Sequence, residues 1–156
     1  MSRLYLRKAN IKDVPSIHYL LIKYSREGLL LPRSYNELYN HLRDFFVLTG
    51  HEEQGVVGCS SLTITWENLA EIRSLIVDKC AQRQGWGSRL VETCLSEALT
   101  LGVYRVFTLT YQLEFFRKLN FTEVDKDSLP QKVWADCLHC PKYPDLCDEV
   151  AMISEL

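Results

Sequence analysis

The sequence predicts a mixed α/β domain, and two observations support this fold class. Strand-like segments rich in β-branched and aromatic residues alternate with segments whose apolar residues recur at helical spacing, in the order β α α β β β α β α β. The clearest βαβ unit covers residues 69–110. A length of 156 residues with 47% apolar side chains fits one domain. Since no linker or repeat divides the chain, we expect a single domain over residues 1–156 with a cysteine-containing C-terminal extension over about 130–156.

Two N-terminal caps place the first two helices. Asn10 begins a helix that we expect to end near Gly28. The capping box Ser34–Glu37 begins a second, short helix that ends near Leu42. The apolar segment 29–32 between them is typical either of core packing or of a loop that lines a pocket. The remaining predicted elements are strands over 4–9, 45–48, 55–66, 69–77 and 103–110, helices over 90–101, over 113–119 and after Pro130, and short strands after Phe121 and over 150–153.

Charge and hydropathy exclude several classes of protein. The 18 basic and 20 acidic side chains contain no basic block, which argues against a nucleic-acid binder. The longest segment without a charged residue, 54–66, is interrupted by polar residues and is too short to span a membrane. The first eight residues alternate apolar and basic side chains, unlike a secretory signal. We therefore expect a cytoplasmic protein with no membrane or nucleic-acid partner.

The six cysteines are interpreted as thiols of a reducing compartment. Cys59 falls in an apolar strand and Cys94 in an amphipathic helix, so we expect both to be buried. Cys137, Cys140 and Cys147, with a histidine between the first two, are suggestive of zinc. Their spacing departs from two separated ligand pairs, so thiols in an extension that covers the sheet are the favoured interpretation.

The segment between the strand 69–77 and the following helix carries the strongest functional signal. Gly85 and Gly87 permit a close backbone approach, and the amides and positive dipole end of the helix favour a phosphate. The same glycines are also compatible with a turn that only relieves strain. The segment is not a Walker loop, because it lacks Gly-Lys-Ser/Thr. It is not a dinucleotide turn either, because Leu90 stands at the third glycine position.

This segment resembles the acetyl-CoA pyrophosphate loop of the GNAT family of N-acetyltransferases. The family pattern is Gln/Arg-x-x-Gly-x-Gly/Ala, which Gln82, Gly85 and Gly87 match. Asn120 stands where the family usually has glycine, a departure that can distort a helix end but removes no chemical group. Four further segments are similar to the acetyltransferase domain of bacterial N-acetylglutamate synthases, in particular the short form without a kinase-like domain: 69–75, 105–111, 115–121 and 129–134.

The resemblance implies a fold and a reaction. The fold is the GNAT fold, with a mixed, mostly antiparallel sheet, a splayed fourth strand and helices on both faces. The reaction transfers an acetyl group from acetyl-CoA to the α-amino group of a small amino acid. L-Glutamate is the acceptor that the resemblance implies, and the reaction is then the first step of arginine biosynthesis. No metal is expected. A homodimer is one open alternative for the oligomeric state, because dimers are common among such domains. Two alternatives remain: a different small amine or amino acid as acceptor, or a non-catalytic module that binds acetyl-CoA or an amino acid.

The resemblance also implies how acetyl-CoA binds. Its pantetheine chain would pair with the strand backbone at residues 75–77, and its pyrophosphate would lie on the amides of residues 83–88. The two aromatic residues at 115 and 116 are expected to pack in the core, and packing against the pantetheine is an open alternative. The residues expected to bind acetyl-CoA are thus Leu75, Ile76, Val77, Gln82, Arg83, Gln84, Gly85, Gly87, Ser88, Phe115 and Phe116.

Four side chains are candidates for the chemistry. Glu71 is the candidate base for the attacking amine, and it shares a strand face with Arg73. The Arg73 guanidinium would lower the pKa of the Glu71 carboxyl and weaken it as a base, unless water relays the proton. The alternative is that Glu71 and Arg73 form a purely structural ion pair. Tyr111 is the candidate acid for the leaving thiolate, or else packs against the cofactor. Arg33 and Arg73 are the candidates for binding the carboxylates of the acceptor.

Overall fold

The structure, a computed structural model, describes residues 3–27, 32–50, 55–130 and 149–156. Within these residues it contains seven strands and four α-helices, which confirms the mixed α/β class. The strands are β1 (Tyr5–Lys8), β2 (Phe45–Thr49), β3 (Val56–Trp66), β4 (Leu69–Val77), β5 (Arg105–Thr110), β6 (Thr122–Val124) and β7 (Val150–Glu155). The helices are α1 (Val14–Ser25), α2 (Tyr35–Asn40), α3 (Trp86–Thr100) and α4 (Leu113–Arg117).

The strands form one mixed, mostly antiparallel sheet in the order β1-β2-β3-β4-β5-β7-β6. Antiparallel pairs join β1 to β2, β2 to β3, β5 to β7, and β6 to β7. β4 and β5 are parallel, and their pairing joins Ala70 to Val106 and Glu71 to Phe107. The predicted mixed sheet is therefore confirmed, and the pairing of its fourth strand with the fifth is short.

The described residues belong to two compact units: the first takes in residues 1–63 and 72–97, and the second residues 64–71 and 98–156. The main core of the first unit packs the apolar face of α1 with apolar residues of α2 and of three strands: Val14, Ile17, Leu20, Leu21, Tyr24, Leu38, Phe45, Val47, Cys59 and Ile76. The core of the second unit consists of Leu69, Phe107, Leu129, Ala151 and Ile153. The predicted burial of Cys59 and Cys94 is confirmed, and burial raises the pKa of these thiols to about 12 and about 11.

Both predicted N-caps are confirmed. The Asn10 side chain accepts a hydrogen bond from the Lys12 amide, and Asp13 completes a capping box, although the turn it caps is a 3-10 turn leading into α1. Asp13 also receives two hydrogen bonds from the guanidinium of Arg7, at 2.7 and 2.9 Å. α1 ends at Ser25, earlier than the prediction near Gly28, a residue that lies outside the described part of the chain.

The second cap and its helix also follow the prediction closely. The Ser34 hydroxyl accepts the Glu37 amide at 3.1 Å, and the Glu37 carboxylate accepts the Ser34 amide in return. α2 ends at Asn40, two residues before the predicted end, because a 3-10 turn over Leu42–Asp44 leads into β2.

The end of α3 explains why the next strand begins later than predicted. The Gly102 amide donates to the Leu99 carbonyl at 3.0 Å, and the Val103 amide donates to the Ala98 carbonyl at 2.8 Å. Gly102 has a φ of 78°, so this is a Schellman motif with glycine in the left-handed position. Because the Val103 amide belongs to the helix cap, β5 begins at Arg105 and not at residue 103.

Asn120 ends α4 in the same way, and the predicted distortion does not occur. Its amide donates to the Arg117 carbonyl and the Phe121 amide donates to the Phe116 carbonyl, both at 3.0 Å. Asn120 has a φ of 69°, a conformation that asparagine tolerates better than most residues. This cap closes the helix at Arg117, two residues before the predicted end.

Some predictions fall outside the described residues. They are the helix after Pro130, the thiols of Cys137, Cys140 and Cys147, most of the apolar segment 29–32, and part of the family-like segment 129–134.

Candidate active site

The phosphate loop, defined as residues 82–88, lies between two anchors in the core of the first unit. On its N-terminal side Ala81 is 1% exposed and packs with Leu48 and Val57. On its C-terminal side Trp86, the first residue of α3, packs against the same cluster. The four residues between the anchors, Gln82 to Gly85, are all exposed. The fold therefore presents a short loop to solvent and holds both of its ends.

The backbone of this loop adopts the left-handed conformation at two residues. Arg83 has a φ of 65° and Gly85 a φ of 83°, both in the left-handed region. Such a conformation costs a non-glycine residue about 1 kcal/mol or more, and strain of this kind is frequent at ligand clamps. The Gly85 carbonyl accepts the Arg89 amide at 3.2 Å, so α3 begins immediately after the loop. The first amides of α3 are then available to an anion.

The charged side chains from residue 79 to residue 91 all have the same sign. Lys79, Arg83 and Arg89 are basic, and no acidic residue occurs from Lys79 to Val91. The Arg89 guanidinium lies 4.5 Å from the ring centre of Trp86. Sequence reasoning missed Arg89, although the spacing of three residues from Trp86 at a helix start would have indicated this contact.

β4 is irregular in the segment that leads to the loop. Ser74 has a φ of 55°, which interrupts the extended backbone. Two buried side chains of β3 support the irregularity: the Cys59 thiol donates to the Ser74 carbonyl at 3.2 Å, and the Ser61 hydroxyl donates to the Arg73 carbonyl at 3.0 Å. The predicted pantetheine-binding residues 75–77 follow directly. Gly58 lies so close to this segment that a Cβ there would be 2.9 Å from the Ile76 carbonyl oxygen.

Two polar residues of α1, Lys23 and Tyr24, contact Asp78, which lies between β4 and the loop. The Asp78 Oδ1 atom accepts the Lys23 Nζ at 2.9 Å and the Tyr24 hydroxyl at 2.8 Å. Burial alone would raise the pKa of Asp78, but the hydrogen bonds from Lys23 and Tyr24 outweigh it, so this pKa lies below its ordinary value. Burial and the hydrogen bond to Asp78 both raise the pKa of Tyr24, which is therefore protonated at neutral pH.

Arg33 is buried in the first unit, with only 3% of its surface exposed. Its guanidinium lies 5.2 Å from the ring centre of Phe45, and its Nε lies 4.0 Å from Oε2 of Glu37. Arginine is rarely buried to this degree, and the guanidinium of Arg33 does not face solvent. Arg73 is half-buried on β4.

The candidate residues for proton transfer lie in the second unit. Glu71 is half-buried on β4 opposite Phe107, and Tyr111 is half-buried directly after β5. Phe115 and Phe116 lie on α4 in edge-to-face contact, with ring centres 5.0 Å apart. Phe116 is 3% exposed and also contacts Phe121, which follows α4, so its side chain packs between two aromatic rings.

The structure thus groups the candidate residues by unit. The second unit holds Glu71, Tyr111, Phe115 and Phe116. The first unit holds Arg33, Arg73, Leu75, Ile76, Val77, Gln82, Arg83, Gln84, Gly85, Gly87 and Ser88.

Over residues 3–27, 32–50, 55–130 and 149–156, no group of three or more His, Cys, Asp or Glu side chains is placed to hold a metal ion. In the same part of the chain, no helix combines the length and the hydropathy needed to cross a membrane.

Comparison with known proteins identifies the family. The model of the acetyltransferase (GNAT) family matches residues 14–121. An uncharacterised N-acetyltransferase of Chlorobaculum tepidum is 38% identical over 97% of this chain and 96% of its own length. An amino-acid acetyltransferase of Mycobacterium tuberculosis is 35% identical over 88% of this chain and 78% of its own.

A solved structure extends the likeness to the whole fold. The N-acetylglutamate synthase of Neisseria gonorrhoeae, in complex with coenzyme A and N-acetylglutamate, superposes on 100% of this chain with a TM-score of 0.87 and 28% identity. This chain spans 36% of the length of that protein. The chain therefore belongs to the GNAT family, as an acetyl-CoA-dependent N-acetyltransferase close to the amino-acid acetyltransferases.

Proposed function

We propose that this protein is an N-acetylglutamate synthase, which transfers the acetyl group of acetyl-CoA to the α-amino group of L-glutamate. The observation that carries this proposal is the superposition of the whole chain on an N-acetylglutamate synthase that holds coenzyme A and N-acetylglutamate. The identity to an amino-acid acetyltransferase over most of both chains supports the same class of acceptor. The product would enter arginine biosynthesis.

The phosphate loop is the proposed site of the acetyl-CoA pyrophosphate. Support comes from its left-handed residues Arg83 and Gly85, from its exposure between two buried anchors, and from the start of α3 directly behind it. Fixed amide dipoles and a locally basic surface stabilise an anion without reorganisation. Arg89, stacked on Trp86, would add a charge at the edge of this site.

The pantetheine chain would run along the last part of β4. The irregularity at Ser74 ends the regular strand just before residues 75–77. Backbone groups of Leu75 and Val77 would then pair with the amides of pantetheine, as a strand edge pairs with an added strand. Support comes from the half-buried state of both residues, which leaves part of their surface open to a ligand.

Glu71 and Tyr111 would carry the two proton transfers. The amino group of glutamate loses a proton to Glu71, directly or through water, and the neutral nitrogen attacks the thioester carbonyl carbon. The carbon–sulfur bond then breaks, and Tyr111 protonates the leaving thiolate. The nitrogen still carries one proton more than an amide, and it releases that proton to the Tyr111 phenolate, directly or through water. Glu71 returns its proton to solvent. Support comes from the half-buried setting of both side chains in the second unit.

Arg33 and Arg73 would bind the acceptor carboxylates. A planar guanidinium binds a carboxylate through two parallel hydrogen bonds, and burial strengthens that interaction. Arg33 satisfies the burial condition, because only 3% of its surface is exposed and its guanidinium lies against the ring of Phe45. Its Nε also lies 4.0 Å from Oε2 of Glu37.

The test is a thiol-release assay with acetyl-CoA and a panel of the twenty amino acids and spermidine. We expect turnover with glutamate, and a loss of about 10²-fold or more in kcat for Glu71→Gln. Glu67→Gln, which removes an exposed carboxylate from the turn before β4, is the matched control and should match the wild type. Arg33→Gln should raise KM for glutamate and leave KM for acetyl-CoA unchanged.

Three outcomes would contradict the proposal in different ways. Turnover with another acceptor alone would keep the acetyltransferase and reject glutamate. Silence across the panel with intact binding of coenzyme A would favour a non-catalytic binding module. Full activity of Glu71→Gln would reject the proposed base but not the reaction.

A further inference from the structure

We propose that the Tyr24 hydroxyl, together with the Asp78 carboxylate, is a positioning device that holds the phosphate loop in its anion-binding conformation. Tyr24 would act through the loop and would not touch the ligand. The inference rests on the proposed binding of the acetyl-CoA pyrophosphate to that loop, and it is independent of which acceptor the enzyme uses.

The Tyr24 hydroxyl bridges two consecutive residues at the end of β4. It donates to Asp78 Oδ1 at 2.8 Å and accepts the Lys79 amide at 3.2 Å. Lys23, the neighbouring residue on α1, donates to the same carboxylate oxygen at 2.9 Å. A phenol hydroxyl has one proton to donate and lone pairs to accept, so both of these hydrogen bonds are made at once. The last turn of α1 is thereby tied to residues 78 and 79, more than fifty positions later in the chain.

The bonds that Tyr24 makes lie at the base of the loop. The Asp78 amide donates to the Val57 carbonyl of β3 at 2.8 Å, and the Asp78 carbonyl accepts the Ala81 amide at 2.9 Å. The Gln82 side chain donates to the Val77 carbonyl at 2.8 Å. The tight turn from Asp78 to Ala81 is therefore held from three sides, by β3, by α1 and by Gln82.

A fixed base matters more for binding an anion than for folding. Several amides must point at one anion simultaneously, and each degree of freedom that the loop loses on binding reduces the affinity. The aromatic ring of Tyr24 belongs to the main core of the first unit and is 6% exposed. Phenylalanine would retain that packing and remove only the hydroxyl, so Tyr24→Phe separates positioning from core stability.

The primary experiment measures the affinity for coenzyme A by isothermal titration calorimetry. Tyr24→Phe removes both hydrogen bonds of the hydroxyl, and we expect it to weaken binding by about tenfold, the scale of a lost hydrogen bond to a charged group. The matched control is Tyr19→Phe, which removes a hydroxyl from the same helix at a side chain that is 68% exposed, and it should bind as the wild type does. The assay needs no acceptor, so it stays valid if glutamate is not the substrate.

A second measurement distinguishes positioning from general damage. With acetyl-CoA, Tyr24→Phe should raise KM by about the same factor and leave kcat unchanged. With S-acetylpantetheine, which has no pyrophosphate, KM should not change. An equal loss with both donors would mean a structural role and would overturn the proposal. If Tyr24→Phe does not fold, Asp78→Asn takes its place. The amide oxygen of asparagine still accepts a hydrogen bond, but the negative charge is lost. Asp78→Asn should raise KM for acetyl-CoA by a smaller factor and again leave KM for S-acetylpantetheine unchanged.

Gly85→Ala separates failure of this inference from failure of the site itself. A Cβ at Gly85 meets no atom within 4 Å, so alanine there perturbs only the left-handed backbone of the loop. If Gly85→Ala weakens coenzyme A binding and Tyr24→Phe does not, the site stands and the positioning role is rejected. If neither variant changes the affinity, the loop is not the pyrophosphate site, and both proposals fall.

Discussion

Replacing Gly58 by alanine should force β3 and β4 apart at the segment proposed to bind pantetheine. The new Cβ would lie 2.9 Å from the Ile76 carbonyl oxygen, and 3.2 and 3.3 Å from the Cβ and Cδ2 atoms of Leu48. The first contact is with backbone, which cannot turn aside as the end of a side chain can. Gly58 is not among the glycines with positive φ, so the effect is steric and does not come from backbone strain.

The size of the effect follows from the cost of overpacking a core. Leu48 is fully buried and Ile76 is 4% exposed, so the clash occurs inside the packed first unit. An extra methyl group in such a place costs about 2 kcal/mol. In a chain of this length each kcal/mol lowers Tm by about 3 °C, so we expect a decrease of about 6 °C. The displaced Ile76 carbonyl should also raise KM for acetyl-CoA a few-fold, by about the factor that a weakened hydrogen bond gives.

The assay combines thermal unfolding with steady-state kinetics, and Gly55→Ala is the control. Gly55 has a φ of 64° and open space around its Cβ position, so alanine there strains the backbone by about 1 kcal/mol without a clash. Gly55→Ala should lower stability and leave KM for acetyl-CoA unchanged. A Gly58→Ala variant as stable as the wild type would refute the steric argument. A destabilised variant with normal KM would refute the placement of pantetheine on this segment.

Three further predictions concern stability and reactivity. Asn120→Ala should destabilise the protein by about 1 kcal/mol in urea unfolding, since alanine resists the left-handed conformation, whereas Asn120→Gly should be neutral or stabilising. Burial alone would raise the pKa of Asp13, but the Arg7 guanidinium outweighs it, so the folded pKa is lowered. The stability contributed by Asp13 is complete above the unfolded pKa, about 4, and is lost as the pH falls through the folded value; Asp13→Asn should flatten the acid side of a Tm profile. Iodoacetamide should modify Cys80, which is exposed, before the buried Cys59 and Cys94, as peptide mass mapping would show.

Each of these predictions has its own refuting result. Equal stabilities of the alanine and glycine variants at position 120 would mean that the left-handed cap is not maintained in solution. A Tm profile of Asp13→Asn parallel to that of the wild type would mean that the ion pair with Arg7 contributes nothing to the acid dependence. Modification of Cys94 at the rate of Cys80 would mean that α3 opens far more readily than its packing indicates.

Local signals explain why much of the fold was predictable. The side chains that cap α2 and the 3-10 turn before α1 bond to amides two or three residues away, and Gly102 ends α3 by its own φ. A local signal also indicated the phosphate loop, because two glycines occur near the start of a predicted helix. Where predictions of helix ends failed, as after α4, the cap belonged to a residue other than glycine: Asn120 adopts the left-handed conformation that the family usually gives to glycine.

Contacts between distant residues explain what sequence reasoning missed. Nothing near Ser74 in the sequence announces its positive φ, because the groups that stabilise it, Cys59 and Ser61, come from the neighbouring strand. The link from Tyr24 to Asp78 joins residues 54 positions apart. No periodicity or spacing rule describes such a pair, since helical and strand patterns relate only close neighbours.

The sequence by itself determined the class of fold, most of the element boundaries, the loop that resembles an acetyl-CoA site and the family it points to, because each depends on residues within one turn or strand. The tertiary structure alone decided how that loop is held: by the burial of Ala81 and Trp86, by the supported irregularity of β4, and by the hydroxyl of a tyrosine on α1. These features depend on which elements pack together. Core side chains contact residues that are distant in the sequence, whereas a capping residue bonds to residues a few positions away.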